Sequence, residues 1–385
     1  MRSALADAPS KMHILITGGH LTPALALIDY IQTHTNDTVA FVGRLYSQET
    51  SQQKSQEKTA IVQRKVKFIP FTTAKLKSPG AVDHALQSLQ VLKAVSQAWQ
   101  IISREKPDVI VSFGGYLAFP VAVAGWLQRV PIVTHEQTRH RGQANSWIAK
   151  LATKVAISFP ESKQYFPAGK TIVTGNLLRE KLFEKSSKQP EWVKTNSKLP
   201  VLYITGGNQG SQIINTVIGQ ALAELTKEWF VVHQCGNPTN VVNYRRELEG
   251  IARRLPAEQR ERYVVREWFD ESDLRWIYHQ AKLIISRAGA NTIYELIALA
   301  KPSILIPLPL THQDEQTLHG QLLESFGSAI AISQKDFTPA ELLHQIHRFK
   351  RLAKTFQRSA NEARDRVILD GTARFYQLLK SCITR

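Results

Sequence analysis

His13-Ile14-Leu15-Ile16-Thr17-Gly18-Gly19-His20-Leu21-Thr22-Pro23 and Val201-Leu202-Tyr203-Ile204-Thr205-Gly206-Gly207-Asn208-Gln209-Gly210-Ser211 decide the fold. Each is a short run rich in β-branched residues that passes through paired glycines into the start of a helix. Strand, glycine loop and helix in that order open an α/β unit, and the loop lies at the ligand-binding edge of an open parallel sheet. The two stretches do not align as a sequence repeat. They share a device, one in each half of the chain.

The same alternation of strand and amphipathic helix runs outward from both. The first half carries predicted strands at His13–Thr17, Val39–Val42, Val109–Ser112, Ile132–Thr134, Lys154–Ile157 and Thr171–Thr174. The second half carries them at Val201–Thr205, Phe230–Gln234, Tyr263–Val265, Leu283–Ser286 and Ser303–Ile306. Between the halves, 184–199 is rich in Lys, Ser and Gln, carries Pro190 and is followed by Pro200, as an interdomain linker would be. The expected architecture is α/β, with two Rossmann-like domains facing across a cleft: 11–183, the linker 184–199, 200–360, and a final helical segment 361–385 returning toward the first domain.

A chain of 385 residues with 43% hydrophobic and 21% charged residues is long enough for two cores. Lys plus Arg number 49 against 32 Asp plus Glu, a formal charge of +17, which implies an anionic partner. No zinc knuckle, RNP or helix-turn-helix signature accompanies that charge, so nucleic acid is not the expected partner. Two scattered cysteines, Cys235 and Cys382, exclude a disulfide framework and fit a reducing cytoplasm. Met1 to Ser10 lacks a signal-peptide apolar core, and Tyr116 to Leu127 is too short to span a bilayer.

The loops after the strands carry the candidate chemistry. In the first, Thr22 is a suitable N-cap and Pro23 a suitable first helical residue, so free N–H groups face Gly18, Gly19 and His20. His20 could take a proton from a sugar hydroxyl, or the loop could be a plain turn. Gly114-Gly115-Tyr116 follows the third strand. His135-Glu136-Gln137-Thr138-Arg139-His140-Arg141-Gly142 follows the fourth, suited to a diphosphate or simply a solvated basic loop. In the second half, Gly206 to Ser211 is a further phosphate cradle. Ser286-Arg287-Ala288-Gly289-Ala290-Asn291-Thr292 leads into a helix bearing Glu295, a carboxylate able to accept two ribose hydroxyls or merely to offset the helix dipole. Gln313 stands in a polar loop after the last strand. All these loops lie after a strand and before a helix, so they converge on the same edge of their sheets.

These motifs, in their order and spacing from Lys11 to the final helix, resemble the peptidoglycan N-acetylglucosaminyltransferases of the MurG type. The specific elements are Thr17-Gly18-Gly19-His20 with Pro23, Gly114-Gly115-Tyr116 with Pro120, and His135-Glu136-Gln137. Gly175-Asn176 with Arg179, Gly206-Gly207 with Gln209-Gly210, and Ser286 to Ala290 with Thr292 and Glu295 complete them. The resemblance implies an inverting transferase of GT-B architecture, without metal or cofactor, that moves N-acetylglucosamine from UDP-N-acetylglucosamine to an undecaprenyl-diphosphate-linked N-acetylmuramyl peptide. It further implies Phe269 near the uracil, Glu295 on the ribose, Asn208 and Gln209 near the diphosphate, and backbone donors from Ala290, Asn291 and Thr292. Arg179, Gln313 and the position of Thr138 would hold the donor, with Thr17, Gly18 and Gly19 closing on it. His20 is the candidate base, and Gly115, Tyr116 and His135 would line the acceptor side. Leu15-Ile16 stands where the family has a glycine pair, Thr138 where it has Asn, Asn208 where it has Ser, and Gln316 where it has Asn. Another lipid or small-molecule acceptor and a non-catalytic nucleotide-sugar-binding protein remain open; a UDP-sugar 2-epimerase would share the architecture but needs acid/base carboxylates that the motifs do not supply.

Peripheral attachment to the cytoplasmic face of the membrane is expected as well. Phe68, Phe71 and Leu76 with Lys75 and Lys77 would dip into an anionic surface. Behind them, Val82, Leu86, Leu89, Leu92, Val95, Trp99 and Ile102 form a helical stripe expected to pack on the first sheet.

Overall fold

The computed structural model describes residues 11–45, 55–72, 84–184, 189–193, 198–207, 210–238, 242–309 and 314–383. The chain divides into two compact units, 1–179 with 368–385, and 180–367.

Unit 1 is built on a parallel sheet with the strands β1 (His13–Thr17), β2 (Thr38–Gly43), β3 (Lys67–Pro70), β4 (Val109–Ser112), β5 (Ile132–Glu136), β6 (Lys154–Ile157) and β7 (Thr171–Val173). Their spatial order is β3-β2-β1-β4-β5-β6-β7. Its helices are α1 (Leu21–His34), α2 (Gln56–Gln63), α3 (His84–Glu105), α4 (Ala118–Leu127) and α5 (Gln143–Leu151). Ile14 and Ile16 enter one core and Leu15 the other, all at 0% exposure, because successive side chains leave opposite faces of a sheet covered on both.

Unit 2 repeats the plan with β8 (Val201–Thr205), β9 (Phe230–Gln234), β10 (Tyr263–Arg266), β11 (Ala281–Ser286), β12 (Ser303–Leu305) and β13 (Ala329–Ala331), ordered β10-β9-β8-β11-β12-β13 and all parallel. Its helices are α6 (Gln212–Glu228), α7 (Tyr244–Ala252), α8 (Ala257–Glu261), α9 (Glu271–Gln280), α10 (Ala290–Ala298), α11 (Glu315–Ser325) and α12 (Pro339–Arg364).

Residues 361–385 are not one helix. The α12 helix ends in unit 2, and α13 (Gly371–Ile383) belongs to unit 1, where Phe375, Tyr376 and Leu379 enter the core beside α1. Thr372 Oγ1 donates to the Leu178 carbonyl at 2.9 Å, and Tyr376 donates to Asp37 at 2.7 Å. The described part of 184–199 is packed rather than free. Trp192 rests on Phe269 and Trp276, with ring centroids 5.3 and 5.5 Å away, and donates to Asp273 at 2.7 Å.

Three expectations need correction here. The α1 helix starts at Leu21 with His20 at its N-cap, so Thr22 does not cap it; Pro23 fits because the first turn needs no N–H from it. Along α3, Ile102 is buried but Leu92 and Trp99 are 64% and 43% exposed, because the small residues Ala94 and Ala98 form the inward face together with Ile101. Phe71 is buried at 1% and therefore does not reach a surface. Lys75, Leu76, Lys77, Val82, and the side chains of Leu86 and Leu89, lie outside the described residues. Among the described residues, no helix is long and apolar enough to cross a membrane.

Candidate functional site

Each sheet grows outward from a central strand in both directions, so the loops on either side of that point diverge and leave a crevice at the carboxyl edge. In unit 1 the switch lies between β1 and β4, in unit 2 between β8 and β11. The candidate loops stand at these two places.

In unit 1, Gly18 N–H donates to the Val42 carbonyl at 2.7 Å, pinning the loop after β1 to the end of β2. Gly19 lies against the Gly114 carbonyl so closely that a Cβ would collide with it. Gly114 and Gly115 hold φ of +78° and +80°, a region costly for other residues, which turns the second loop beneath the first. Tyr116 is fixed by Arg44, whose guanidinium donates to its hydroxyl at 3.1 Å and lies 5.6 Å from its ring. His20 is exposed on this edge, and its side chain makes no capping bond. Partial desolvation lowers its pKa from the ordinary value, an effect that the Glu136 carboxylate opposes. A neutral imidazole is the form that accepts a proton.

Other expected residues of unit 1 turn inward. His135 is fully buried against Phe113 and Phe375, with Nε2 3.1 Å from the Gly175 carbonyl, so it braces β5 against the segment after β7 and does not line an acceptor surface. The Thr138 hydroxyl lies 2.9 Å from Glu136 and 2.7 Å from the His140 carbonyl, and its N–H donates to Glu136 at 3.1 Å. That internal turn takes the bonding capacity expected to serve a donor. Thr17 is 1% exposed at the end of β1, and Arg179 is half-buried at the end of its unit.

In unit 2, α6 and α10 begin at the switch point. Their N-cap residues, Ser211 and Gly289, make no side-chain capping bond, which leaves the first-turn N–H groups directed at the crevice. Arg287 lies between them. It donates to Ser211 Oγ at 2.8 Å, to Gln334 Oε1 at 2.8 Å and to the Ile306 carbonyl at 3.1 Å, tying together the loops after β8, β11, β12 and β13. Ala290, Asn291 and Thr292 are half-buried in the first turn of α10. Glu295, one turn on, is 6% exposed and accepts from the Tyr278 hydroxyl at 3.1 Å. Phe269, expected near the uracil, has its ring wholly buried under Trp192, and its N–H donates to Gln234 Oε1 at 3.4 Å. Asn208, Gln209 and Gln313 lie outside the described residues.

Sequence reasoning did not assign Arg287, Gln334 or Tyr278. Arg287 had a signal, as a cation inside a strand-end glycine turn. Gln334 and Tyr278 had none, since each is distant in sequence from the residue it serves.

Buried histidines set the acid response of both units. Burial pushes the pKa of His135 down to about 4 and that of His233 down to about 3. His233 bridges the Tyr263 hydroxyl at 2.9 Å and Asn215 at 3.0 Å, and Asn215 donates to the Cys235 carbonyl at 2.9 Å beside Gly210. An unfolded histidine titrates near 6.5. Below that pH the unfolded chain takes up protons that the folded chain refuses, so stability present above about 6.5 is lost as pH falls toward about 4, by up to about 1.4 kcal/mol per pH unit for each group. Urea midpoints at pH 7 and pH 5 should therefore differ, and His135→Phe should flatten the dependence of unit 1. Equal midpoints would contradict the assignment.

Residues 17–157 match the Glycosyltransferase family 28 N-terminal domain, and residues 201–372 match the Glycosyltransferase family 28 C-terminal domain. A UDP-N-acetylglucosamine--N-acetylmuramyl-(pentapeptide) pyrophosphoryl-undecaprenol N-acetylglucosamine transferase of Clostridium novyi is 31% identical over 371 residues, covering 93% of this chain and 98% of the relative. A protein of the same name from Clostridium tetani is 30% identical over 345 residues, covering 88% of this chain and 89% of the relative. The crystal structure of Acinetobacter baumannii MurG superposes with a TM-score of 0.69 at 23% identity, covering 96% of this chain and 99% of that one, a likeness of fold. Both glycine-loop units, in their order along the chain, thus coincide with the two domains of one enzyme family. The chain belongs to glycosyltransferase family 28, among the UDP-N-acetylglucosamine--N-acetylmuramyl-(pentapeptide) pyrophosphoryl-undecaprenol N-acetylglucosamine transferases.

Proposed function

We propose that this chain moves N-acetylglucosamine from UDP-N-acetylglucosamine to an undecaprenyl-diphosphate-linked N-acetylmuramyl peptide, a step of peptidoglycan and cell-wall synthesis. The observation that carries the reading is the switch point of unit 2, where two uncapped helix N-termini flank Arg287. Such N–H groups and a guanidinium stabilise a diphosphate as it takes up the bonding electrons. The acceptor hydroxyl attacks the anomeric carbon, the bond to UDP breaks on the opposite face, and the hydroxyl proton passes to His20. Glu295 binds the ribose, with backbone donors from Ala290 to Thr292 on the diphosphate, and Asn208, Gln209, Gln313 and Arg179 also serve the donor. Gly115 and Tyr116 border the acceptor. Mass and anomeric configuration of the product made from purified lipid acceptor test the reading. A β-linked disaccharide supports it, whereas an unmodified acceptor or a free epimerised sugar would refute it.

Glu295→Ala should weaken UDP binding by about 1.5–3 kcal/mol, because it removes charged hydrogen bonds to ribose hydroxyls. Calorimetry with UDP reads this directly, and unchanged affinity in a folded variant would place Glu295 outside the site.

The chain works at the cytoplasmic face of the membrane, held peripherally. Support comes from apolar side chains left outward on the neighbouring helices α3, α4 and α5. Leu92, Trp99, Trp126, Leu127 and Trp147 are each at least 43% exposed, and the exposed Lys93, Arg129 and Lys150 accompany them. Tryptophans of this kind settle at an interface while cations hold anionic headgroups. Trp126→Ala/Trp147→Ala should lower partitioning onto anionic vesicles by about tenfold, and Lys75→Glu/Lys77→Glu should lower it as well. Equal co-sedimentation of all three proteins would move the attachment surface elsewhere.

A further inference from the structure

Glu57 is a buried acid on α2, 6% exposed, and none of the chemistry above uses it. Its Oε2 accepts the Arg44 backbone N–H at 3.1 Å, and its carboxylate also accepts the Gly19 backbone N–H. A Cβ at Gly18 would lie 3.2 Å from Oε2, and one at Gly43 would lie 3.1 Å from it and 2.7 Å from the Phe41 ring, so the carboxylate packs closely against both glycines. Ser55, the N-cap of α2, closes the same junction: its hydroxyl donates to the Arg44 carbonyl, and its N–H donates to the Leu45 carbonyl at 2.9 Å. The first turn of α2 therefore grips the end of β2 and reaches under the loop after β1. Arg44 completes the circuit through its guanidinium on Tyr116 in the second loop.

We propose that Glu57 is a positioning residue for the transfer reaction, fixing the Gly18–His20 loop from beneath so that the His20 imidazole is held toward the acceptor hydroxyl. The inference rests on the reading of His20 as the base. Gly19 and His20 are consecutive, so a bond to the Gly19 N–H orients the peptide that leads into the imidazole-bearing residue. A carboxylate suits this task better than an amide, because it presents two acceptor oxygens and a charge to backbone donors. Burial raises the Glu57 pKa, and the N–H groups of Arg44 and Gly19 and the nearby Arg44 guanidinium oppose that rise. Burial is the larger effect, so the net shift is upward, and these contacts restore the charged form only in part.

The test is a double-mutant cycle on the full-length chain with purified lipid acceptor, combining Glu57→Gln with His20→Ala. Glu57→Gln should lower kcat by about a hundredfold, the scale of a misplaced catalytic group, with KM for UDP-N-acetylglucosamine within about twofold. In the His20→Ala background the same substitution should change turnover by less than about threefold, because the group it positions is gone. Glu57→Asp, which keeps the charge but withdraws the carboxylate by one methylene, is read in the same cycle, so a poorly folding Gln variant does not end the test. Multiplicative losses, or an unchanged kcat in either folded variant, would overturn the role of Glu57 while leaving an active wild type and the proposed reaction intact. An inactive wild type would overturn both.

Discussion

With His20 replaced by alanine, turnover on the lipid-linked acceptor should fall by about a hundred- to ten-thousand-fold, while UDP affinity stays within about twofold. The expectation follows from placement. His20 stands exposed beside the unit 1 switch point, its ring is not spent on capping α1, and its lowered pKa leaves it neutral near pH 7. The proposed nucleoside contacts lie on a different unit, so the loss belongs to kcat. Because protonation removes the base, wild-type kcat should also decline as pH drops below the His20 pKa, and this limb should vanish in the variant. Near-normal turnover of His20→Ala on the correct acceptor would leave His20 as a loop residue.

Arg287→Ala should weaken UDP binding by about 3 kcal/mol, roughly a hundredfold, since hydrogen bonds to a charged group contribute about 1.5–3 kcal/mol each. Removing the guanidinium releases Ser211 at the start of α6 and Gln334 after β13, and leaves the Ile306 carbonyl without this donor. The two helix termini then lose the strut between them before any phosphate arrives. Arg287→Lys should recover little, because one ammonium cannot reproduce the planar fork that reaches separate loops. Calorimetry with UDP on both variants, alongside a thermal melt, separates a lost site from a lost fold. Wild-type affinity in Arg287→Ala would remove the strut from the account.

Much of this arrangement was legible in the sequence. The strands β1, β4, β6, β8 and β9 fall on their expected residues, because short β-branched runs buried on both faces are bounded by clear turn residues. The edge strands β3 and β13 were not visible: they have four and three residues, only Ile69 of β3 is buried, and Pro70 ends it. The loops were legible as positions, but side-chain direction within them was not. In a sheet covered on both faces, alternation does not reveal whether a strand-end residue turns to solvent or to the core. The strand β5 runs two residues past its expected end, so His135 lies within it and only Thr138 stands in the loop; both face inward, where Phe375 and the Glu136 carboxylate receive them. Phe269 is covered by Trp192, which comes from a stretch whose composition reads as free linker. Arg287 was visible as a cation, while its partner Gln334, 47 residues on, was not.

Acceptor-dependent release of UDP from UDP-N-acetylglucosamine by the purified chain tests the central claim most directly. The account predicts that UDP appears in proportion to the undecaprenyl-diphosphate-linked muramyl peptide supplied and ceases when that acceptor is exhausted. UDP released at the same rate without acceptor, or none released with it, would contradict the account.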